Sequence, residues 1–338
     1  MRHGIAAEQW LDLSTGINPD GWPVPTLPVD VWNRLPEADD GLIEAAREYY
    51  GAPQVLPVAG SQAAIQTLPW LRAHSRAAVL APGYAEHAQA WRRAGHEVDL
   101  LPQTDIASNL AQYDVLVLAN PNNPTGIDFP VDVLLQWHAQ LAARGGWLVV
   151  DEAFMDATPA ASLAAHGTLS GLIVLRSLGK FFGLAGARVG FVLAEAGLLQ
   201  QLEEKLGPWT VSGPARTVAT MALRDRSWQT QTRIRLARDA QRLRELLRAS
   251  GLPPTGGTEL FQWVLTPQAA SMHERLARAG ILVRFFAEPA SLRFGLPANE
   301  AQWQRLQVAL ATAMDGGSAE NAGAVFPPAS VAHAEVVA

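Results

Sequence analysis

At 338 residues, 49% of them hydrophobic, the chain is long enough to bury a substantial core in two packed domains, so disorder is not the expectation for the chain as a whole. A formal net charge of -6 argues against a protein that works on nucleic acid or an anionic membrane surface, so the expected partner is a small molecule. The absence of cysteine removes disulfides, zinc–thiolate sites, iron–sulfur clusters and a cysteine nucleophile, and no metal site is expected.

Met1 to Trp10 lacks a basic start followed by an apolar run, and no stretch approaches the roughly 18 apolar residues of a spanning helix. A cytoplasmic location is the expectation. Residues 1–29, rich in proline and glycine, read as an N-terminal arm. From Val55 to Leu193 short apolar runs alternate with amphipathic segments, the pattern of βα repeats around a largely parallel sheet. Seven strands are predicted: Val55–Ala59, Ala77–Ala81, Glu97–Leu101, Val115–Ala119, Trp147–Val150, Ile173–Leu175 and Gly190–Leu193. Helical spacing falls over Ala63–Ala73, Glu86–Ala94 and Val131–Ala143. A long arginine-rich helix is expected from Ala215 to Ser250, read as a connector with a wet face. A smaller α+β region follows, with strands at Phe261–Leu265, Ile281–Phe285 and Ser291–Phe294 and helices at Ala269–Arg278 and Glu300–Met314. The expected division is an arm (1–29), a large domain (30–214), the connecting helix with a small domain (215–314), and an aperiodic tail (315–338).

Three segments carry the chemistry. The chain has only two lysines, Lys180 and Lys205, although it is rich in arginine. Lys205 follows two glutamates and reads as a solvated side chain. Lys180, in Ser177-Leu178-Gly179-Lys180, lies just past a strand's carboxyl end, where ligands sit in open α/β sheets, with Gly183, Gly186, Arg188 and Gly190 close behind. Burial in such a crevice would lower its pKa toward the neutral amine that Schiff-base chemistry needs. An exposed lysine on a flexible glycine-rich loop is the other reading. The run Asn120-Pro121-Asn122-Asn123-Pro124-Thr125-Gly126 follows another apolar strand and is by itself a tight turn. Asp151-Glu152-Ala153-Phe154 ends a third strand, where the carboxylate could cap a helix, hold a metal or pair with a heterocyclic nitrogen.

In this order and spacing the three segments resemble the class I and II aminotransferases, pyridoxal 5'-phosphate (PLP) enzymes of the aspartate-aminotransferase fold, over roughly residues 10–314. The resemblance implies a seven-stranded, mostly parallel sheet domain with a smaller α+β domain. It also implies that Lys180 carries PLP as a Schiff base and that Asp151 pairs with the pyridine nitrogen. Asn123 then bonds the cofactor's O3', Tyr84 stacks on its ring, and Ser177, Arg188 and Gly60-Ser61-Gln62 hold its phosphate. Arg293 becomes the fork for the substrate carboxylate. Departures are Phe154 where many relatives have tyrosine, Gly179 where a hydroxyl residue is usual, and Leu35 where an aromatic from the neighbouring subunit is expected.

Within the family the similarity is greatest to the threonine-phosphate decarboxylases of cobalamin biosynthesis, with histidinol-phosphate aminotransferases next. Leu11 to Pro19, Arg34 to Leu42 and Gly179 to Gly183 carry it. The implied reaction takes L-threonine O-3-phosphate to (R)-1-aminopropan-2-ol O-2-phosphate and CO2, with transamination as the alternative. For the substrate phosphate the candidates are Arg284, Asn18 and His3. A homodimer is expected by resemblance. A PLP-binding regulator would need a helix-turn-helix that the first 30 residues cannot hold, and no Gly-x-Gly-x-x-Gly follows the first strand to suggest a nicotinamide cofactor.

Overall fold

The computed structural model describes residues 3–315, so the expected tail lies outside the described residues. Twelve strands appear in chain order: β1 (Leu11–Leu13), β2 (Leu56–Val58), β3 (Arg76–Leu80), β4 (Glu97–Leu101), β5 (Val115–Ala119), β6 (Trp147–Asp151), β7 (Leu172–Ser177), β8 (Gly190–Leu193), β9 (Gly256–Thr258), β10 (Phe261–Leu265), β11 (Ile281–Phe286) and β12 (Ser291–Gly295). The seven predicted strands of the first half form one sheet in the order β2-β8-β7-β6-β5-β3-β4. Only β8 runs against its neighbours.

Strand position explains strand composition. Val115–Ala119 lies mid-sheet and is buried at every residue, as a parallel strand covered on both faces must be. Glu97–Leu101 is the edge strand and carries two acidic residues, which discourages a further strand from pairing there. The period-2 alternation divides the core. Val115, Val117, Val149, Ile173 and Leu175 pack with Ile65, Trp91 and Leu202 on one face. Leu116, Leu118, Leu148, Val150, Leu172 and Val174 join a second core that continues to Leu13, Phe261 and Leu292 of the smaller sheet.

That smaller sheet has the order β1-β11-β12-β10-β9. Its first strand belongs to the N-terminal arm and pairs parallel with β11, Leu11 opposite Ile281. The segment expected as one helix from Ala215 to Ser250 is two, Gly213–Arg224 and Arg226–Ala249. Asp225 breaks it: its backbone is non-helical, and its carboxylate accepts from the Trp228 amide at 3.0 Å as the cap of the second helix. The same carboxylate takes the Trp22 indole N–H at 3.1 Å, tying the arm to this break. No described helix is long and apolar enough to cross a membrane.

Beneath the ends of β6 and β7 lies a buried ion network. Arg176 forks between Glu152, at 2.6 Å, and Asp156, with all three almost fully enclosed. Its guanidinium stacks 4.6 Å from the Tyr50 ring. Burial raises the Glu152 carboxyl above its usual range, and Arg176 opposes that rise. Arg176→Leu would strand two carboxylates, and an unfolding loss of about 3–5 kcal/mol is expected. Without the arginine nothing opposes the rise that burial imposes on Glu152 as strongly, so this acid holds its proton more tightly folded than unfolded. The loss should therefore grow as pH rises above roughly 5, which urea titrations at two pH values would read.

Candidate active site

The carboxyl ends of β5, β6 and β7 lie side by side, with Ala119 opposite Asp151 and Asp151 opposite Leu175. The three chemistry-bearing segments therefore leave the sheet at one edge, where open parallel sheets bind ligands. A single cavity there is lined by Ser61, Gln62, Tyr84, Asn123, Asp151, Phe154, Ser177, Lys180 and Arg188.

At one end of the cavity are Ser61 and Gln62, which open the helix Ser61–Thr67, together with Ser177 and Arg188. Gly60 precedes that helix with φ of +74°, and a Cβ there would stand 2.6 Å from the Arg188 guanidinium. Only glycine lets the cation lie against this turn. Gly190 serves the same approach from β8, since a Cβ on it would meet the Ser61 amide at 2.4 Å. Ser177 Oγ accepts the Gly179 amide at 3.2 Å, so the residue before Lys180 contributes a backbone group where relatives place a hydroxyl.

Tyr84 forms one wall, its hydroxyl donating to Gln62 Oε1 at 3.1 Å. Gln62 in turn donates to Glu86 at 3.0 Å. On the far side Phe154 packs edge-on against Phe261 with centroids 5.1 Å apart, and Lys180 Nζ lies 5.5 Å from the Phe154 ring. A Cβ on Gly16 would press within 2.8 Å of Phe154, so the arm can pass this ring only as glycine.

Lys180 is the nucleophile the cavity offers. Its amine is held below its ordinary value, first by burial, then by Arg293 and Arg188, with Asp151 opposing. Asp151 is 5% exposed and its two oxygens are occupied: Oδ1 accepts the Ala153 amide at 3.0 Å and Oδ2 meets His87 Nε2 at 3.0 Å. His87 was not foreseen. It lies behind the cavity on the helix Ala85–Arg93, its ring edge-on to Tyr84 at 5.9 Å, so one residue touches both Asp151 and Tyr84. The available signal was its position three residues after Tyr84, the spacing that puts two side chains on one helical face.

Arg293, on β12, reaches across from the smaller sheet. It donates to Asn123 Oδ1 and, at 2.5 Å, to the Ser14 carbonyl, while its Nε finds no partner. It is 7% exposed, has no carboxylate partner, and burial together with the neighbouring Arg284 pulls its pKa down to about 10. A buried guanidinium in this condition is a site for an anion.

The three phosphate candidates do not reach the cavity lining. Arg284 is exposed on β11, opposite Arg293 in register, near enough for its charge to be felt at Arg293 and Tyr84. His3 sits with its ring 6.0 Å from Trp10. Asn18 is buried with its side chain engaged at both ends, donating to the Phe181 carbonyl at 2.8 Å and accepting from Arg235 at 3.1 Å. Leu35 is exposed and also lies outside the cavity lining.

The sequence profile of the class I and II aminotransferases matches residues 31–313. The threonine-phosphate decarboxylase of Pseudomonas aeruginosa is 59% identical over 91% of this chain and 93% of its own length. That of a Sinorhizobium species is 43% identical over 92% of this chain and 94% of its own. Among solved structures, the histidinol-phosphate aminotransferase of Sinorhizobium meliloti in complex with pyridoxal-5'-phosphate superimposes with a TM-score of 0.79 at 21% identity, covering 90% of this chain and 91% of that one. With its sheet order, its lysine past β7 and its aspartate closing β6, this chain belongs to the class I and II aminotransferase family.

Proposed function

We propose that this protein is a PLP-dependent lyase that converts L-threonine O-3-phosphate to (R)-1-aminopropan-2-ol O-2-phosphate and CO2. The observation that carries the reading is Arg293, a buried cation without a carboxylate partner, bonded to the cavity-lining Asn123 and near enough for its charge to be felt at Lys180, in a chain 59% identical to a threonine-phosphate decarboxylase.

The residues present fit PLP. Ser61, Gln62, Ser177 and Arg188 gather at one end where its phosphate would lie, and Asp151 stands where it would keep the pyridine nitrogen protonated. Tyr84 supplies a ring face, Asn123 an amide for O3', and Lys180 an amine. When bound, PLP supplies an electron sink for the pair left behind as a bond at the substrate α-carbon breaks.

The chain's own side chains decide which bond breaks. Arg293 would grip the carboxylate in a fork, and with Asp151 and Tyr84 holding the cofactor this would set which bond at the α-carbon is weakened. With the carboxylate so held, the carbon–carboxylate bond would break and CO2 would leave, its electron pair passing to the bound cofactor. Lys180 then delivers a proton from Nζ to the α-carbon. Arg284 is the proposed contact for the substrate phosphate. Arg284 helps to depress Arg293 as a neighbouring cation, and a substrate carrying two anionic groups would relieve that repulsion. Asn18 and His3 have no such part.

His87 acts through Asp151. His87→Phe removes the side-chain partner of a buried carboxylate, and the PLP dissociation constant is expected to rise by about tenfold, with His87→Gln recovering part of the loss. Equilibrium titration of the visible absorbance would measure both.

The large-domain and small-domain division at 30–214 and 215–314 is supported by the two separate sheets, with Asp151 on the larger and Arg293 on the smaller. A homodimer is supported by the apolar side chains of Trp32, Leu35 and Trp209, each at least 60% exposed. Borohydride reduction of the PLP-loaded protein, followed by peptide mass analysis, tests the cofactor assignment: label on Lys180 is expected, and label confined to Lys205 would overturn it.

A further inference from the structure

The three carbonyls that begin at the reactive lysine are all taken by one segment of the N-terminal arm. The Asn18 amide donates to the Lys180 carbonyl at 2.9 Å, the Asn18 side-chain amide to the Phe181 carbonyl at 2.8 Å, and the Trp22 amide to the Phe182 carbonyl at 2.8 Å. The two backbones run against each other through paired glycines. A Cβ on Gly183, whose φ is +70°, would stand 2.6 Å from the Gly21 Cα, and one on Gly21 would meet the Phe182 carbonyl at 2.9 Å. Asn18 is in turn fixed from outside. Its Oδ1 accepts from the Asp20 amide and from Arg235, each at 3.1 Å, and Arg235 also holds the Asp20 carbonyl at 2.9 Å.

The same arm reaches the other half of the site a few residues earlier. Ser14 offers its carbonyl to Arg293, and Leu11–Leu13 is paired to β11 in the smaller sheet. One short stretch of chain therefore touches the guanidinium that grips the carboxylate and the backbone that carries the amine, although these belong to different sheets.

We propose that Asn18 is a positioning residue for Lys180: with Arg235 behind it, Asn18 fixes the lysine backbone against the arm and so sets where Nζ stands relative to the bond that breaks. This deepens the PLP-lyase reading and rests on it. The role is geometric. A displacement of about 1 Å at a reacting group costs on the order of 10²-fold in rate, whereas substrate affinity, set by Arg293 and the phosphate contact, has no reason to follow.

The experiment compares the wild-type protein with Asn18→Ala, Asn18→Asp and Arg235→Met, each saturated with PLP and assayed with L-threonine O-3-phosphate well below its melting temperature. Asn18→Ala is expected to lose about tenfold or more in kcat with KM changed less than about threefold. The circular dichroism of its visible cofactor band should fall relative to absorbance, because the tethered ring is no longer held in one orientation. Asn18→Asp keeps the acceptor for Arg235 and the backbone bond to Lys180 but loses the donor to Phe181, and should lie between wild type and alanine. Arg235→Met leaves every arm-to-lysine bond in place and provides the test if Asn18→Ala does not fold; it should reduce kcat in the same direction by a smaller factor. Lowered melting temperature with unchanged kcat and unchanged visible dichroism in these variants would reduce Asn18 to a packing residue and overturn the proposal. Borohydride labelling of wild type is run alongside: failure to label Lys180 would sink the cofactor reading itself, whereas a labelled Lys180 with indifferent Asn18 variants would sink only this inference.

Discussion

Lys180→Ala is expected to keep its fold and to lose turnover of L-threonine O-3-phosphate by about 10⁴-fold or more. The fold should survive because the amine does no structural work. Among the described residues its closest ring contact is Phe154 at 5.5 Å, and burial and Arg293 both disfavour its charged form. Removing it relieves a repulsion with Arg293 and leaves the apo-protein's melting temperature unchanged or slightly raised. Turnover should be lost because, in the proposed reading, the same amine tethers the cofactor and returns the proton to the α-carbon, and the only other lysine, Lys205, lies on the helix Ala196–Leu206 outside the cavity lining. The visible band of tethered PLP should disappear in this variant. Wild-type turnover in Lys180→Ala would contradict the assignment.

Arg293→Leu is the second large effect. The guanidinium is buried among Asn123, Ser14 and Phe261, and its depressed pKa marks a cation held away from water without a carboxylate. Breaking a buried charge-assisted pair costs about 2–5 kcal/mol, so kcat/KM should fall on the order of 10²-fold or more. Arg293→Lys keeps the charge but not the fork, and should recover only part of the loss. The reaction product has no carboxylate, so its binding to Arg293→Leu should stay within about threefold of wild type. Stability should change little. The isolated charge is gone, but Asn123 Oδ1 and the Ser14 carbonyl lose a donor, a cost of about 1 kcal/mol each. Product affinity falling in parallel with substrate turnover would show that Arg293 does something other than hold the carboxylate.

The central sheet was legible because each of its strands is a short apolar run closed by turn residues, and position in a parallel sheet demands that composition. The site was legible for a related reason. Asn123, Asp151 and Lys180 each follow such a run, so locating the strand ends located the chemistry. Short elements escaped notice: β1 and β9 are three residues each, too few for alternation to show. The break at Asp225 was hidden because the residues on both sides are strong helix formers, and one capping carboxylate decides it. His87 and Asn18 show a different limit. A histidine on an amphipathic helix and an asparagine near the N-terminus have no local signature of their partners. Asn18 lies 163 positions from the carbonyl its side chain holds, and its placement in the sequence suggested a ligand contact where the fold uses it to fix backbone. Arg176, Glu152 and Asp156 likewise read as separate charges until the strand ends bring them together.

The decisive assay gives the PLP-loaded protein L-threonine O-3-phosphate without any 2-oxo acid and, in parallel, L-histidinol phosphate with 2-oxoglutarate. CO2 from the first and no glutamate from the second is the outcome expected of a site in which, as proposed, Arg293 would hold the carboxylate and Lys180 would return the proton. Glutamate from the second with no CO2 from the first would leave the family and the cofactor standing and would contradict the decarboxylase.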